Sequence, residues 1–267
     1  MGEYSKLVIE GGVATLTLNR PEKRNALKRE FLVELNEAVE KVSNDPAARV
    51  FVLAAEGRVF SAGMDLVQMQ ERATSASGAE EYQVDSKVYC DLLKTIFGLK
   101  IPTIAAVQGP ALAGGVGLVL ACDMVVAAEG AFFMLPEPLR GITAAMVTPL
   151  LILRTGEGAA TYMLLSGERV SADKAAGFGI CHSVASQNEL PQRVQQLVDS
   201  VLASSAEALA LTKQHIENCS GKCTVDGVGK LIDMSIDVSA RARETGDARE
   251  GLAAFLEKRK PNWHPES

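Results

Sequence analysis

The sequence predicts an α/β fold in which a β/α body precedes a helical tail. A β-hairpin pattern opens the chain, buried strands then alternate with helices, and almost every segment after about residue 145 has helical periodicity. The sequence contains no fixed-period repeat and no low-complexity linker. We therefore predict two regions, a β/α core over 1–185 and a helical region over 186–267.

Local patterns predict the first elements. Residues 7–11 and 13–18 alternate around a Gly-Gly pair, which indicates a β-hairpin. Apolar residues at helical spacing over 27–45 predict a helix, and the run RVFVLAAEG at 49–57 predicts a buried strand that ends in glycine. Residues 66–80 degrade into alanine, serine, glycine and threonine, so we expect a mobile loop between two helical pieces there.

The later elements flank a glycine-rich stretch. Segments 102–109 and 124–135 are apolar and predict strands on either side of it. Residues 167–184 predict a helix, a turn and a strand that interrupt the helical half of the chain. Residues 187–258 predict four amphipathic helices.

The composition is that of an ordinary globular protein, since 47% of the 267 residues are hydrophobic and 22% are charged. The formal net charge of −6 argues against nucleic acid as a partner, which favours a basic surface. No apolar run reaches the length of a membrane span, and the start of the chain carries no signal-peptide pattern. Five scattered cysteines suit a reducing compartment, so we predict a cytoplasmic protein with no membrane partner.

Histidine and cysteine chemistry has little support in this sequence. Three histidines occur, His182, His215 and His264, and none forms a metal-like pair. His215 has a spacing to Cys219 and Cys223 that places three ligands along one helix face, but the glycine in CSGKC breaks that helix. No Gly-x-Ser-x-Gly motif is present. We therefore predict no metal site and assign acid–base chemistry to carboxylates.

Two loops each follow a buried strand with small residues and glycine: GRVFSAGMDL at 57–66 and PALAGGVGL at 110–118. The second lacks the Lys-Ser or Lys-Thr of a phosphate-binding loop, and Leu120 stands where a dinucleotide fingerprint requires glycine. Two such loops can each direct one backbone N–H at the same anionic oxygen, which is an oxyanion hole. Tight packing between helix and strand explains the glycines equally well.

Motifs along nearly the whole chain carry a family resemblance. LNRPEKRNAL (18–27), FSAGMDL (60–66), the segment 102–137, SGERVSADKAAGFGI (166–180) and EGLAAFLEKRKPNW (250–263) resemble the enoyl-CoA hydratase/isomerase, or crotonase, superfamily. The resemblance implies a spiral of ββα turns and a helical C-terminal region that makes trimers, often paired into hexamers. It also implies an acyl-CoA thioester as ligand and an enolate held on the thioester oxygen. No separate cofactor is expected, because CoA enters as part of the substrate.

The resemblance assigns roles to residues of this sequence by position. The oxyanion donors are expected to be the N–H groups of Met64 and Gly114. Positions expected to contact the CoA portion are Arg24, Ala26, Leu27, Ala62, Asp65, Leu66, Phe255 and Lys258. Lys258 is equally explained as part of a solvated helix end. Apolar faces in the tail, with Leu202, Leu209 and Leu211, agree with the expected homotrimer or hexamer.

One departure from the family pattern bears on the reaction. Two-glutamate hydratases carry glutamates at the positions of Gly117 and Glu137, so the first carboxylate is absent here and the second is present. Apolar neighbours are expected to raise the pKa of Glu137, which suits a group that accepts and returns a proton. The alternative is a surface turn glutamate between Pro136 and Pro138.

These residues leave several functions open. Hydration of a 2-enoyl-CoA is favoured, and Thr143, Asp65, Asp85 or Tyr82 is then expected to hold the water in place of a glutamate at Gly117. Segment 135–154 resembles hydratases of branched 3-methylglutaconyl-type thioesters. A Δ3-Δ2-enoyl-CoA isomerase needs Glu137 alone, the same enolate site supports decarboxylation, and a non-catalytic acyl-CoA-binding protein is a further alternative.

Overall fold

The structure is a computed structural model that describes residues 2–75, 77–219 and 225–263. The strands are β1 Ser5–Glu10, β2 Val13–Leu18, β3 Val50–Ala55, β4 Thr103–Val107, β5 Ala111–Leu112, β6 Met124–Ala128, β7 Phe132–Met134, β8 Val170–Ser171 and β9 Ser183–Ala185. The helices are α1 Arg29–Asn44, α2 Leu66–Thr74, α3 Gly78–Phe97, α4 Gly114–Leu120, α5 Thr148–Ser166, α6 Ala172–Gly177, α7 Leu190–Leu202, α8 Ala206–Cys219, α9 Val225–Arg243 and α10 Gly246–Leu256. Among the described residues, no helix has both the length and the apolar character needed to cross a membrane.

Six strands form the main sheet in the order β1-β2-β3-β4-β6-β9. Strands β1 and β2 pair antiparallel, and every other neighbouring pair is parallel. The predicted hairpin is confirmed, and its two-residue turn uses Gly11 and Gly12 at φ 58° and 85°. A turn with two positive φ angles matches the twist of the paired strands, and glycine adopts it without strain.

Both faces of the main sheet are covered, which explains its uninterrupted apolar strands. In β3 the side chains alternate: Phe51 and Leu53 join the large core with α1 and α3, whereas Val50 and Val52 face the other side. Helix α7 covers that other side, where its Val194 and neighbouring apolar residues pack on β3, β4 and β6. The carboxyl ends of the parallel strands are followed by the loops that carry the candidate site.

A second, three-stranded sheet has the order β5-β7-β8. Parallel pairing of β5 with β7 aligns Leu112 with Met134, and an isolated bridge joins Ser61 to Ala111. This small sheet therefore brings together three segments that are distant in sequence: the loop after β3, the glycine-rich stretch and the segment that leads to Glu137.

The predicted mobile loop over 66–80 is wrong, because its first nine residues form helix α2. The Asp65 side chain caps that helix by accepting a hydrogen bond from Val67 N at 3.1 Å. Met69 is buried against Tyr82 and Leu252, which belong to α3 and α10. Tyr82 lies in the next helix along the chain and Leu252 is distant in sequence, so the helix depends on tertiary contacts that local composition does not predict.

The tail contains the four predicted helices, α7 to α10. Leu202 and Leu209, expected on surplus apolar faces, instead pack against the cluster that α7 forms with the sheet, whereas Leu211 is exposed. Helix α9 packs on α3, and α10 packs on the 3-10 helix that begins at Glu137. The domain division at residue 185 stays a prediction.

Candidate active site

A cavity of about 40 Å³, open to solvent at its mouth, lies between the two glycine-containing loops and the segment after β7. It brings together three residues that the sequence singled out: Met64, Gly114 and Glu137. The remaining lining residues are Ala62, Leu66, Met69, Tyr89, Ala113, Arg140, Ile142, Thr143, Ala144, Met146, Val147 and Arg243. Most of this wall is apolar, as in binding sites for small organic ligands.

Buried backbone interactions hold the two loops side by side. Leu112 N donates to the Ser61 carbonyl at 2.9 Å, and the Ser61 hydroxyl accepts from Gly63 N at 3.2 Å. Gly63 has φ 81°, and a Cβ atom at this position would lie 2.6 Å from Ala113 Cβ and 3.1 Å from Gly114 N. Glycine is therefore required at 63 for both its conformation and its close approach.

The backbone N–H groups of Met64 and Gly114 form no hydrogen bond with any residue that the structure describes. Both residues line the cavity, and Gly114 is the first residue of α4, whose N-terminal amides have no partner within the helix. A helix N-terminus carries partial positive charge. The arrangement suits an oxygen that becomes negative during a reaction.

The residue before Gly114 has a strained backbone. Ala113 has φ 51° and ψ −126°, a combination that side-chain-bearing residues rarely adopt. Its N–H donates to the Met134 carbonyl at 2.9 Å, which fixes the turn to the small sheet. Strain of this kind persists where surrounding contacts impose it, and it concentrates at functional sites.

Glu137 is buried, with 7% of its surface exposed, so the alternative of a surface turn is wrong. It is the first residue of a 3-10 helix, and its Oε2 atom has no hydrogen-bond partner among the described residues. Burial raises the pKa of Glu137 to about 7, while the charges of Arg140 and Arg243 act in the opposite direction. A carboxyl group with this pKa both accepts and releases protons near neutral pH.

Tyr89, a residue that the sequence analysis did not select, fills the space beside Gly117. Its buried hydroxyl donates to the Gly114 carbonyl at 2.6 Å. A Cβ atom at Gly117 would lie only 2.1 Å from that hydroxyl oxygen and 3.2 Å from Val147 Cγ2. A glutamate at 117 would therefore clash with Tyr89 in its present position.

Three of the four expected water-holding residues are engaged elsewhere. Asp65 caps α2 and pairs with Arg20 at 2.8 Å, and those hydrogen bonds lower the pKa of Asp65 against the effect of its burial. Asp85 forms ion pairs with two arginines, and the Tyr82 hydroxyl donates to a backbone carbonyl in α2. None of the three lines the cavity.

Thr143 differs from those three residues. It lines the cavity with Glu137, and its hydroxyl forms no hydrogen bond with the described residues. Glu137 is also the single carboxylate among the described residues that line the cavity.

Asp65, one of the expected CoA positions, caps α2, and the other seven fall into two groups. Ala62 and Leu66 line the cavity, beside the segment of Ala26 and Leu27. Leu27 is fully buried, so only its backbone is available, and its N–H donates to the Gly63 carbonyl at 2.8 Å. Arg24 is joined to this group through its carbonyl, which accepts from Ala62 N at 2.9 Å, and it lines a separate surface depression.

Phe255 and Lys258 form the C-terminal group of expected CoA positions. Both are exposed, and the Phe255 ring stacks on the Arg140 guanidinium at 4.5 Å. Lys258 follows α10 with φ 56°, outside the cavity lining.

The two histidines that the structure describes, His182 and His215, lie outside the cavity lining. His182 Nδ1 accepts a hydrogen bond from Val125 N at 3.0 Å, and burial lowers the pKa of His182. His215 lies on α8, and Cys223 and His264 lie outside the described residues. Within the described ranges, no three candidate metal ligands cluster together.

Comparison with known proteins decides the family. The family profile described as enoyl-CoA hydratase/isomerase matches residues 8–266. This chain belongs to the enoyl-CoA hydratase/isomerase family. The α/β crotonase fold expected from the resemblance is confirmed, and both hydratase and isomerase names occur among the relatives.

The relatives of this family member differ in their reactions. One from Thermus thermophilus, which carries the enoyl-CoA hydratase name, is 38% identical over 96% of this chain and 99% of its own. The crotonyl-CoA hydratase of Syntrophomonas wolfei is 33% identical over 97% of this chain and 98% of its own. The 1,2-epoxyphenylacetyl-CoA isomerase of Escherichia coli is 32% identical over 98% of this chain and 99% of its own.

Solved structures of the family superpose along the whole chain. An enoyl-CoA hydratase from Mycobacterium avium has a TM-score of 0.83 at 33% identity and covers 99% of this chain and 100% of its own. An enoyl-CoA hydratase/isomerase from Xanthobacter autotrophicus has a TM-score of 0.84 at 29% identity and covers 97% of both chains. The family is therefore fixed, and the individual reaction has to be argued from the cavity.

Proposed function

We propose that this enzyme hydrates a 2-enoyl-CoA thioester with Glu137 as the single general acid and base. The observation that carries the proposal is the placement of a buried carboxyl group, with a pKa raised to about 7, in the same cavity as two unpaired backbone N–H groups. An enolate-forming reaction needs both parts: donors for the oxygen, and a base for the proton.

The thioester oxygen would accept hydrogen bonds from Met64 N–H and Gly114 N–H. As the oxygen of a water molecule attacks C3, Glu137 takes one proton from that water, and the electron pair of the double bond moves towards the thioester oxygen. The resulting enolate is stabilised by the two donors and by the N-terminus of α4. Glu137 then returns the proton to C2, so the carboxylate is regenerated.

The water needs a second polar contact besides Glu137. The Thr143 hydroxyl supports this role because it lines the cavity without another hydrogen-bond partner among the described residues. Tyr89 Oη is a second acceptor nearby, although its proton is committed to the Gly114 carbonyl. Burial raises the pKa of Tyr89, so the phenol stays protonated and neutral.

Double-bond isomerisation is the second candidate. Isomerisation needs one carboxylate, and Glu137 is the single carboxylate among the described residues that line the cavity. A second carboxylate at position 117 would clash with Tyr89. In that reaction Glu137 removes a proton from C2 of a 3-enoyl-CoA and returns it to C4. Hydration is preferred because Thr143 offers the second contact that a water requires. A branched methylglutaconyl-type substrate, a homotrimeric or hexameric assembly and a cytoplasmic location belong to the same proposal.

The test compares wild-type turnover of crotonyl-CoA, a 3-enoyl-CoA and 3-methylglutaconyl-CoA under identical conditions. Hydration of a 2-enoyl thioester lowers the ultraviolet absorbance of its conjugated double bond. Isomerisation of the 3-enoyl thioester forms that conjugated double bond and raises the absorbance. The proposal expects the highest kcat/KM on a 2-enoyl substrate, with Thr143→Val lowering hydration at least tenfold. Turnover of the 3-enoyl substrate alone would establish the isomerase instead. If thioesters bind but none is turned over, the protein is the non-catalytic acyl-CoA-binding alternative.

A further inference from the structure

Two arginines in the cavity wall have no role in the steps described above. Arg140 follows Glu137 in the same 3-10 helix, and Arg243 is the last residue of α9. Both line the cavity together with Glu137, Met64 and Gly114. An otherwise apolar acyl cavity does not need guanidinium groups, so their presence indicates a polar part of the ligand.

Neither guanidinium forms an ion pair with a described residue, although the charge of Glu137 acts on both and that of Asp85 acts on Arg243. No carboxylate lies within 4.0 Å of Arg140 or Arg243 among the described residues. The polar contact of Arg243 is a hydrogen bond to the Ser86 hydroxyl at 3.3 Å. By contrast, Arg72 on the neighbouring surface pairs with both Glu81 and Asp85.

The charge balance of the cavity is therefore positive. Burial lowers the pKa of both guanidinium groups, yet arginine stays protonated under all ordinary conditions. Glu137, with a pKa of about 7, supplies at most one negative charge and often none. Partly desolvated cations without a counter-charge are costly, and a ligand anion offsets that cost.

Aromatic rings fix both guanidinium groups. The Arg140 guanidinium carbon lies 4.5 Å from the Phe255 ring centre, and that of Arg243 lies 4.6 Å from the Tyr82 ring centre. A cation–π contact of this kind does not use the N–H groups of the guanidinium, which stay able to donate hydrogen bonds. Those N–H groups match a carboxylate, which accepts two parallel hydrogen bonds.

We propose that the acyl chain of the substrate ends in a carboxylate, and that Arg140 and Arg243 bind it. The substrate class is then a dicarboxylic acid joined to CoA through one of its carboxyl groups. This inference rests on the proposed function for its reaction, but the carboxylate binding itself needs no turnover. The two arginines are specificity-determining residues, since they contact the distal end of the acyl chain and not the reacting carbons.

A purely electrostatic role is the competing explanation. Both arginines lower the pKa of Glu137 by charge, and they would do so whether or not a ligand carboxylate binds. In that case their removal changes the pH dependence of the reaction equally for every substrate. Binding of unreactive thioesters separates the two roles, because it does not use Glu137 as a base.

The experiment measures binding of saturated thioesters by calorimetry in matched pairs: hexanoyl-CoA with adipyl-CoA, and valeryl-CoA with glutaryl-CoA. The wild type is expected to bind the carboxylate-terminated member at least tenfold more tightly in one pair. Arg140→Met and Arg243→Met keep the apolar stem and remove the charge. Each should weaken binding of that member about tenfold or more and change the methyl-terminated member less than threefold.

Arg249→Met is the matched control, because Arg249 lies in the adjacent surface cleft and outside the cavity lining. It should leave both affinities unchanged. If Arg243→Met does not fold, Arg243→Lys replaces it in the experiment. This variant should lose part of the preference for the carboxylate-terminated thioester, because lysine cannot form the bidentate contact.

Equal or tighter wild-type binding of the methyl-terminated thioesters would overturn the inference. Equal weakening of both members in the arginine variants would also overturn it. A shifted pH–rate profile with unchanged affinities would establish the electrostatic role instead. Failure of the proposed function is distinguishable: the carboxylate preference would persist in binding, while neither trans-2-hexenoyl-CoA nor its carboxylate-terminated counterpart would be hydrated.

Discussion

Replacing Glu137 by glutamine keeps the shape of the side chain and removes its ability to accept a proton. General acid–base catalysis contributes roughly 100- to 10,000-fold, so kcat should fall by that factor on the best substrate. Binding of a saturated acyl-CoA should change little, because the N–H groups of Met64 and Gly114 remain. Steady-state kinetics tests the loss of kcat, and calorimetry on the same preparation tests the unchanged binding affinity. Full activity in Glu137→Gln would move the base to another residue.

The same substitution should stabilise the protein at high pH. The pKa of Glu137 is raised from 4.5 to about 7, so the folded state favours the neutral form. Its contribution to stability is complete below pH 4.5 and is lost as the pH rises through 7. At pH 8, Glu137→Gln should therefore unfold with a free energy up to about 3 kcal/mol higher than wild type, since one pKa unit is worth about 1.4 kcal/mol.

Urea denaturation at pH 8 and pH 5 tests this sign. The gap between Glu137→Gln and wild type should shrink to below about 1 kcal/mol at pH 5, because the folded carboxyl is then mostly neutral. The exposed Glu129→Gln is the control and should leave the curve unchanged at both values. A gap that grows towards acidic pH would contradict the assignment of a raised pKa.

Gly117 is expected to be intolerant of any side chain because of Tyr89. A methyl group at 117 would lie 2.1 Å from the Tyr89 hydroxyl oxygen, which is a clash. The ring carbon that bears this hydroxyl would lie 3.3 Å away, so the hydroxyl is the main obstacle. Gly117→Ala should destabilise the wild type by about 1–3 kcal/mol, although alanine is the better helix former. In a Tyr89→Phe background most of that cost should disappear. Equal costs in both backgrounds would show that the hydroxyl is not the obstacle.

At the scale of elements, the turn at Ala113 joins α4 to β5 of the small sheet and carries Gly114, whose N–H is the proposed oxyanion donor. Gly114→Val would place its Cβ atom 3.3 Å from Tyr89, and its branches would occupy the approach of the thioester oxygen. Loss of one oxyanion donor typically costs about 100- to 1,000-fold in kcat, and we expect a loss of that order. Gly130→Val is the control, because no atom lies within 4 Å of a Cβ atom there. Thermal melts check that both variants fold.

The sequence predicts the elements whose cause is local. The hairpin, the strand β3 and the four tail helices follow from alternation, helical spacing and glycine placement. Local composition does not predict helix α2, because Met69 is buried by tertiary contacts with α3, the next helix along the chain, and with the distant helix α10.

The candidate site divides in the same way. The motifs select Glu137, Met64 and Gly114, and all three line one cavity, whereas their catalytic roles stay predictions. Tyr89 lies in the middle of α3 and belongs to no motif; its role depends on contacts with Gly114 and Gly117 made across helices. A buried tyrosine on an amphipathic helix is ordinarily a core residue, so sequence periodicity does not distinguish it.

At the scale of the whole molecule, α9 presents an apolar stripe to solvent. Leu231, Met234 and Val238 are 48%, 67% and 44% exposed, and their spacing of three and four residues aligns them on one face. The opposite face is buried against α3 and includes Ile232. An exposed stripe of this kind on a folded protein indicates an interface.

We expect this stripe to be covered by a second copy of the chain in a trimer or hexamer. Light scattering should then give about three or six times 28.3 kDa at micromolar concentration. Met234→Glu with Val238→Glu should lower the mass towards the monomer, because two buried carboxylates without partners are costly at an interface. Val33→Glu, on the exposed side of α1, should leave the mass unchanged. A monomeric wild type, or a double variant that keeps the assembly, would remove α9 from the interface.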